Sequence, residues 1–351
     1  MTRLSELTTT QVGGEATQLV APATRPELIA AAEELFANHE QPLILGGGSN
    51  TIATDDRIDE PVLLVVTKGI HQLDGPVDKV GQARVRIDAG ESWSALVDYA
   101  VARNWSGIEA LAGIPGSVGA TPVQNIGAYG QELSDVLARI EFYDVDADTV
   151  RWIDAADLGL GYRTSAIKRG ELRGVVTRVE LDLVEMPEGQ SEPVRYDQLA
   201  RALDVPLGER MPVHVVRDAV IRLRASKGMV LDAHDRDSVS SGSFFMNPIV
   251  RSSFASELPE MPKFDAGKDE DGSPLVKLSA AWLIDHAGVQ KGFSLPGSNA
   301  AISSKHTLAI TNRGGATAEQ IVELARFVRA RVEAEYGVRL VNEPVLVELT
   351  I

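Results

Sequence analysis

Two glycine-rich segments have the clearest capacity for chemistry in this sequence. Gly46-Gly47-Gly48-Ser49-Asn50 follows directly on the apolar run Pro42-Leu43-Ile44-Leu45. Residues without a Cβ let backbone N–H groups close on a pyrophosphate, and Ser49 and Asn50 add hydrogen-bonding side chains. The pattern is neither G-x-G-x-x-G nor G-x-x-x-x-G-K-[ST], so it gives no warrant for a Rossmann or P-loop site, and a tight turn explains it equally well. The second segment runs from Gly107 to Ala120 through Gly113, Ile114, Pro115, Gly116, Ser117 and Gly119, and resumes in Asn125-Ile126-Gly127-Ala128-Tyr129-Gly130. Such a chain suits neither a helix nor an ordinary strand, but it can wrap a large flat ligand with backbone donors and acceptors. A structural loop is the alternative, although long ordered loops in compact domains are usually functional.

Other local patterns are ambiguous or exclude chemistries. Taken alone, Arg163 in Gly161-Tyr162-Arg163-Thr164-Ser165 is a loop arginine and reads as surface charge. Ser243 lies in Ser241-Gly242-Ser243-Phe244-Phe245, which reads as a turn followed by core phenylalanines. Glu343 before Pro344 reads as an exposed residue at a strand entry. Asp144 to Thr149 (DVDADT) imitates an EF-hand opening, but threonine stands where the sharp turn needs glycine. The six histidines include no H-x-x-x-H pair, and no metal site is expected. No G-x-S-x-G elbow is present.

The elements that must carry these residues show in the periodicity. Residues 26–38 place Leu28, Ala32, Leu35 and Phe36 on one helical face behind Pro26. Leu43 to Leu45 and Val62 to Val66 read as buried strands, and Arg84 to Gly90 alternates as a half-buried one. Helical spacing covers 93–104, 213–226 and 317–336, the last stopped by Gly337. Strands are expected near 140–145, 175–183 and 344–349, a polar loop at 187–193, and a solvated turn at the acidic run 267–272 (GKDEDG).

Composition bounds the partners. At 351 residues the chain needs two or three domains, and 44% hydrophobic with 24% charged residues is globular. A formal charge of −16 disfavours a nucleic-acid partner, because counterion release needs a cationic surface. The absence of cysteine excludes disulfides and thiolate chemistry. The N-terminal residues lack the apolar core of a secretory signal and no run reaches membrane-spanning length, so a cytoplasmic protein without membrane attachment is expected.

The motifs LGGGSN, GIPGSVGA with NIGAYGQE, GYRTS, SGSFFMNP and NEPVLVE occur in the order seen in the UDP-N-acetylenolpyruvoylglucosamine reductase (UDP-N-acetylmuramate dehydrogenase) family, which the chain resembles from about residue 10 to its C-terminus. The resemblance implies an α+β, vanillyl-alcohol-oxidase type of FAD-binding fold. Its two FAD-binding domains would cover 1–70 and 71–225 and its substrate-binding domain 226–342, with 343–351 returning to the first. FAD would lie against Gly46, Gly47, Gly48, Ser49, Asn50, Gly113, Ile114, Pro115, Gly116, Ser117, Gly119, Ala120, Asn125, Gly127 and Ala128. The implied reaction is two hydride transfers in peptidoglycan precursor synthesis: NADPH reduces the flavin, which then reduces UDP-N-acetylglucosamine enolpyruvate to UDP-N-acetylmuramate.

Three catalytic roles follow from the resemblance. Arg163 holds the substrate carboxylate through two parallel hydrogen bonds. Ser243 gives the proton, with Phe244 and Phe245 walling the pocket. Glu343, pushed toward its neutral form, donates a hydrogen bond near the enolate. Tyr162, Tyr196, Lys227 and Asn247 match substrate contacts. Met246 stands where some members have lysine, Ala281 where glycine is common and Asn342 where proline is frequent; these bear on fine contacts only. The rivals are an oxidase of small alcohols on the same fold and a silent nucleotide-sugar binding flavoprotein. Arg163, Ser243 and Glu343 argue against the oxidase, which has no carbanion to protonate.

Overall fold

The computed structural model describes residues 2–39, 41–73 and 81–351. The chain divides into two compact units, one of Met1–Thr2, Ala16–Gly48 and Ile58–Ser226, the other of Arg3–Glu15, Ser49–Arg57 and Lys227–Ile351. Short sequence-distant segments thus complete the second unit, which no linear reading of composition separates.

In the first unit the helix Arg25–Asn38 opens on a capping box in which Thr24 and Glu27 satisfy each other's backbone N–H groups, with Pro26 in the first turn. Its buried stripe of Leu28, Ala32 and Leu35 is the one the spacing predicts. The neighbouring parallel sheet has Val62–Leu64 between Leu19–Val20 and Leu43–Leu45. The larger antiparallel sheet runs Thr149–Asp154, Leu137–Asp144, Gly174–Glu185, Gln82–Asp88 and Ile70–Gln72, with Trp105–Ser106 beside Gly174–Glu185. The helix Trp93–Val101 ends three residues before the expected Asn104, whose backbone is left-handed (φ 58°).

Strand alternation sorts the larger sheet into two chemistries. From Gln82–Asp88, Ala83, Val85 and Ile87 enter the hydrophobic core, while Arg84, Arg86 and Asp88 face Asp182, Glu180 and Arg178 across the strand pair. Each opposed pair is an ion pair, at 2.7, 2.7 and 2.8 Å. Glu180 also accepts from Arg139 at 2.8 Å, its carboxylate is fully buried, and both arginines stack over Trp152.

In the second unit the helix Ala318–Tyr336 is capped by Thr317 and Gln320, buries Ile321, Leu324, Val328 and Val332, and stops at Gly337. It packs on the antiparallel pair Ala300–Ile302 and Ile310–Asn312. Val345–Val347 pairs in parallel with Thr51–Ala53. A third sheet sets Pro274–Leu278 between Ile249–Arg251 and Lys263–Lys268. The acidic run 267–272 spans the end of Lys263–Lys268 and the turn into Pro274–Leu278, and Arg251 reaches its Asp269 and Asp271 at 2.9 and 3.0 Å. No helix among the described residues is long and apolar enough to cross a membrane.

Removing Glu180 leaves Arg86 and Arg139 half-buried without their shared carboxylate. Glu180→Ala should lower the unfolding free energy of the first unit by about 3–5 kcal/mol, read from the urea midpoint; a loss below ~1 kcal/mol would show that the arginines find water instead.

Candidate active site

The first glycine segment and the middle of the second form one wall of the first unit. Trp93 N–H donates to Gly116 O at 3.0 Å, Val118 N–H to Glu91 O at 2.8 Å and Gly119 N–H to Ala89 O at 2.8 Å, so residues 116–119 are stitched to the turn between the strand Gln82–Asp88 and the helix Trp93–Val101. Gly46 and Gly47 lie against this stitch, and a Cβ on Gly47 would stand 2.6 Å from the Gly116 Cα. A cavity of about 320 Å³ opens here, lined by Gly46, Gly47, Val65, Lys68, Ser92 and Ser117 among others. Among the described residues the buried Ser117 hydroxyl has no hydrogen-bond partner, and Ser92 caps the positive end of the adjoining helix. A shielded hydroxyl, bare backbone and a helix N-terminus are the components of a diphosphate cradle. Gly113, Ile114 and Pro115 precede Gly116 in the chain and are half-buried, and Ala120 ends the 3-10 turn that follows.

Lys68 at this cavity was missed in the sequence. Its Nζ donates to Gly90 O at 2.5 Å and lies 3.7 Å from Glu91. Nothing in the local pattern separates it from a surface lysine.

Further along, the hairpin of Gly127–Ala128 and Gln131–Glu132 mounts the candidate arginine. Arg163 Nη2 donates to Gly127 O at 2.8 Å, Nη1 points to Asn125 O at 3.5 Å, and the guanidinium lies 5.5 Å from the Tyr162 ring. Asn125 has its side chain engaged internally, donating to Gly161 O and accepting from Ser134 N–H. Asn125, Tyr129 and Arg163 are all left-handed, at φ 46°, 49° and 54°. Strain of this kind in non-glycine residues gathers at functional sites.

Two arginines share this neighbourhood with the Glu132 carboxylate, which accepts from Asn125 Nδ2 at 3.2 Å. Arg224, at the end of the helix Val213–Ala225, has its guanidinium pulled below the ordinary value by desolvation; the Tyr129 hydroxyl opposes that shift and Arg163 adds to it. Desolvation raises the Tyr129 hydroxyl, Arg224 lowers it and Tyr196 raises it. Tyr196, half exposed at the start of the helix Asp197–Leu203, meets Tyr129 edge-on with centroids 5.6 Å apart. Two arginines and three tyrosines in one place suit an anionic ligand. Glu109 beneath them is buried, which raises its carboxyl against the pull of its backbone bonds, among them Gly107 N–H at 2.6 Å and Glu192 N–H at 2.8 Å.

The second unit brings the other two candidates alongside each other. Glu343 N–H donates to Phe244 O at 2.8 Å, Met246 N–H donates to Val341 O at 3.0 Å, and Phe245 pairs with Asn342. The Ser243 segment therefore runs beside the Glu343 segment. Asn50 joins them, its Nδ2 donating to Glu343 O and its carbonyl accepting from Val345 N–H. Phe244 and Phe245 are fully buried in this unit's core, the ordinary reading of the pair, and do not wall an open pocket. Asn247 Oδ1 accepts from Ala280 N–H at the start of the helix Ala280–His286. Ser49 and Asn50 belong with this unit and Gly46–Gly48 with the first; Lys227 opens the second unit's C-terminal segment, while Arg163, Tyr162 and Tyr196 lie in the first. Among the described residues no group of three His, Asp or Glu is placed to hold a metal.

Comparison with known proteins gives this geometry a family. Residues 16–153 match the model described as FAD binding domain, and residues 234–347 match UDP-N-acetylenolpyruvoylglucosamine reductase, C-terminal domain. A relative from Leifsonia xyli subsp. xyli named UDP-N-acetylenolpyruvoylglucosamine reductase is 51% identical over 99% of this chain and 98% of its own. One of the same name from Salinispora arenicola is 45% identical over 98% and 94%. The crystal structure of UDP-N-acetylenolpyruvylglucosamine reductase from Thermus caldophilus matches with a TM-score of 0.65 at 27% identity, covering 99% of this chain and 97% of that one. Such identity along nearly the whole of both chains means that this chain belongs to the UDP-N-acetylenolpyruvoylglucosamine reductase family, FAD-containing oxidoreductases of peptidoglycan synthesis with an α+β FAD-binding fold.

Proposed function

We propose that the chain reduces UDP-N-acetylglucosamine enolpyruvate to UDP-N-acetylmuramate with NADPH as reductant. The observation that carries the reading is the pairing of 244–246 with 341–343, which sets a serine segment and a glutamate segment from distant parts of the chain side by side. Residues 1–70 and 71–225 act as the two FAD-binding parts and 226–342 as the substrate-binding part, with 343–351 returning to the first.

The cradle of Gly46, Gly47, Gly116 and Ser117 fits the diphosphate of FAD, because its buried hydroxyl and close-set backbone suit phosphate oxygens. FAD held in this cradle would supply hydride, drawn from NADPH, for the enolpyruvyl methylene carbon. An electron pair then rests on the carbon bearing the substrate carboxylate. Arg163 grips that carboxylate and spreads the charge, and its anchorage on Gly127 O fixes the plane of the guanidinium before substrate arrives. Ser243 Oγ gives its proton to the carbanion and recovers one from solvent. Glu343 donates a hydrogen bond to the enolate oxygen. Tyr162 lines the carboxylate side, Tyr196 and Lys227 take the diphosphate, and Asn247 contacts the sugar nucleotide.

The two half-reactions test the reading. Anaerobic bleaching of the flavin by NADPH, followed by UDP-N-acetylglucosamine enolpyruvate, should restore the oxidised spectrum; no restoration refutes the substrate. In Ser243→Ala the bleaching step should proceed at near the native rate while restoration slows by at least ~10²-fold, and equal slowing of both steps removes Ser243 as the proton donor.

Arg163→Lys should lose most of the substrate-reducing activity, since an ammonium cannot reproduce a planar fork. Native turnover in that variant would take Arg163 out of the mechanism.

Gly47→Val places a branched side chain where the Gly116 backbone stands. The purified variant should hold much less flavin per chain by absorbance, and native flavin content would move the cofactor elsewhere.

A further inference from the structure

The tyrosine assigned to the substrate diphosphate is held by a residue with no assigned role. We propose that Tyr129 is a positioning residue for Tyr196, and that the hairpin Gly127–Glu132 ties the grip on the substrate's diphosphate to the grip on its carboxylate. The inference rests on the reading of Tyr196 as a substrate contact.

Tyr196 is 45% exposed and its neighbour Arg195 is also at the surface, whereas Tyr129 is only 9% exposed. The edge of one ring meets the face of the other at an interplanar angle of 89°, the arrangement that the aromatic quadrupole favours. Backbone bonds fix the chain just before Tyr196: Glu192 N–H on Glu109, and Val194 N–H on Glu209 O at 2.9 Å. The ring contact with Tyr129 extends that hold to the side chain.

The hairpin is built for the contact. Gly130 turns at φ +86°, and a Cβ there would lie 2.9 Å from the Arg195 Cβ, so the hairpin tip touches the residue next to Tyr196. Tyr129 itself has the left-handed backbone that glycine adopts without penalty, and a tyrosine keeps that conformation only where its side chain is firmly packed. Two residues earlier, Gly127 O takes the Arg163 guanidinium. A displacement of this hairpin moves both Arg163 and Tyr196.

A double-mutant cycle on the full-length holoenzyme tests the proposal. The readout is the dissociation constant of UDP-N-acetylglucosamine enolpyruvate, titrated through its perturbation of the flavin spectrum, in the native protein, Tyr129→Gly, Tyr196→Ala and the double variant. Glycine suits the backbone at 129, and Tyr129→Asn, also tolerant of left-handed φ, serves in its place if the glycine variant loses flavin. Each single change should weaken binding, and the product of the two single effects should exceed the double effect by roughly 2- to 12-fold, the span of an aromatic pair. Tyr129→Phe keeps the ring and should bind like the native protein, which a requirement for the hydroxyl would not allow. Multiplicative single effects overturn the proposal and leave the diphosphate role of Tyr196 standing. Native affinity in Tyr196→Ala instead refutes that role, and the proposal falls with it.

Discussion

Two stretches of main chain in the first unit approach more closely than any side chain permits. Gly46 and Gly47 stand against Gly116 and Ser117, and the stretch 116–119 is already stitched by three backbone hydrogen bonds to the turn at 89–93. That turn joins a strand of the larger sheet to the helix Trp93–Val101, whose capped N-terminus reaches the same cavity. The cradle is therefore fixed by the sheet on one side and by an absence of Cβ atoms on the other. A rigid scaffold of this kind holds donors in place before the ligand binds, so little ordering has to occur on binding.

The second unit depends on a different constraint, the return of the C-terminus. Val345–Val347 lies parallel to Thr51–Ala53, and parallel strands demand a long connection, here residues 54–344, which include the longest segment of the first unit. The residues just before that strand pair with 244–246, and Asn50 hydrogen-bonds Glu343. One ladder thus ties the end of the first glycine segment, the serine segment and the glutamate segment to one another.

Around Arg163 the fold stores cost. Left-handed Asn125, Tyr129 and Arg163 carry on the order of 1 kcal/mol each or more, and Arg224 brings a second desolvated cation into the same region. Such costs stand only where packing elsewhere offsets them, and the long core of the first unit, together with the ion-pair ladder on its larger sheet, supplies that. An anion that enters meets donors already oriented, the condition under which electrostatic stabilisation is strongest.

Local chemistry made several elements legible from residues alone. Pro26 near the start of one helix, and Thr317 with Gly337 at the ends of another, mark helix ends because first-turn prolines, caps and left-handed stops depend on a few adjacent residues. Alternation in 82–88 marks a strand for the same reason: one face of a pleat repeats every second residue. The glycine segments announce close backbone approach, and the order of motifs carries the family. Beyond this reach lay whatever depends on residues far apart in the chain: that residues 3–15 and 49–57 join the C-terminal unit, that Lys68 lines the cradle, and that Tyr129 braces Tyr196 while Gly127 anchors Arg163. Propensity, capping and pattern act over a few residues and are written in the string itself, whereas burial and partnership are set by which segments the folded chain brings together.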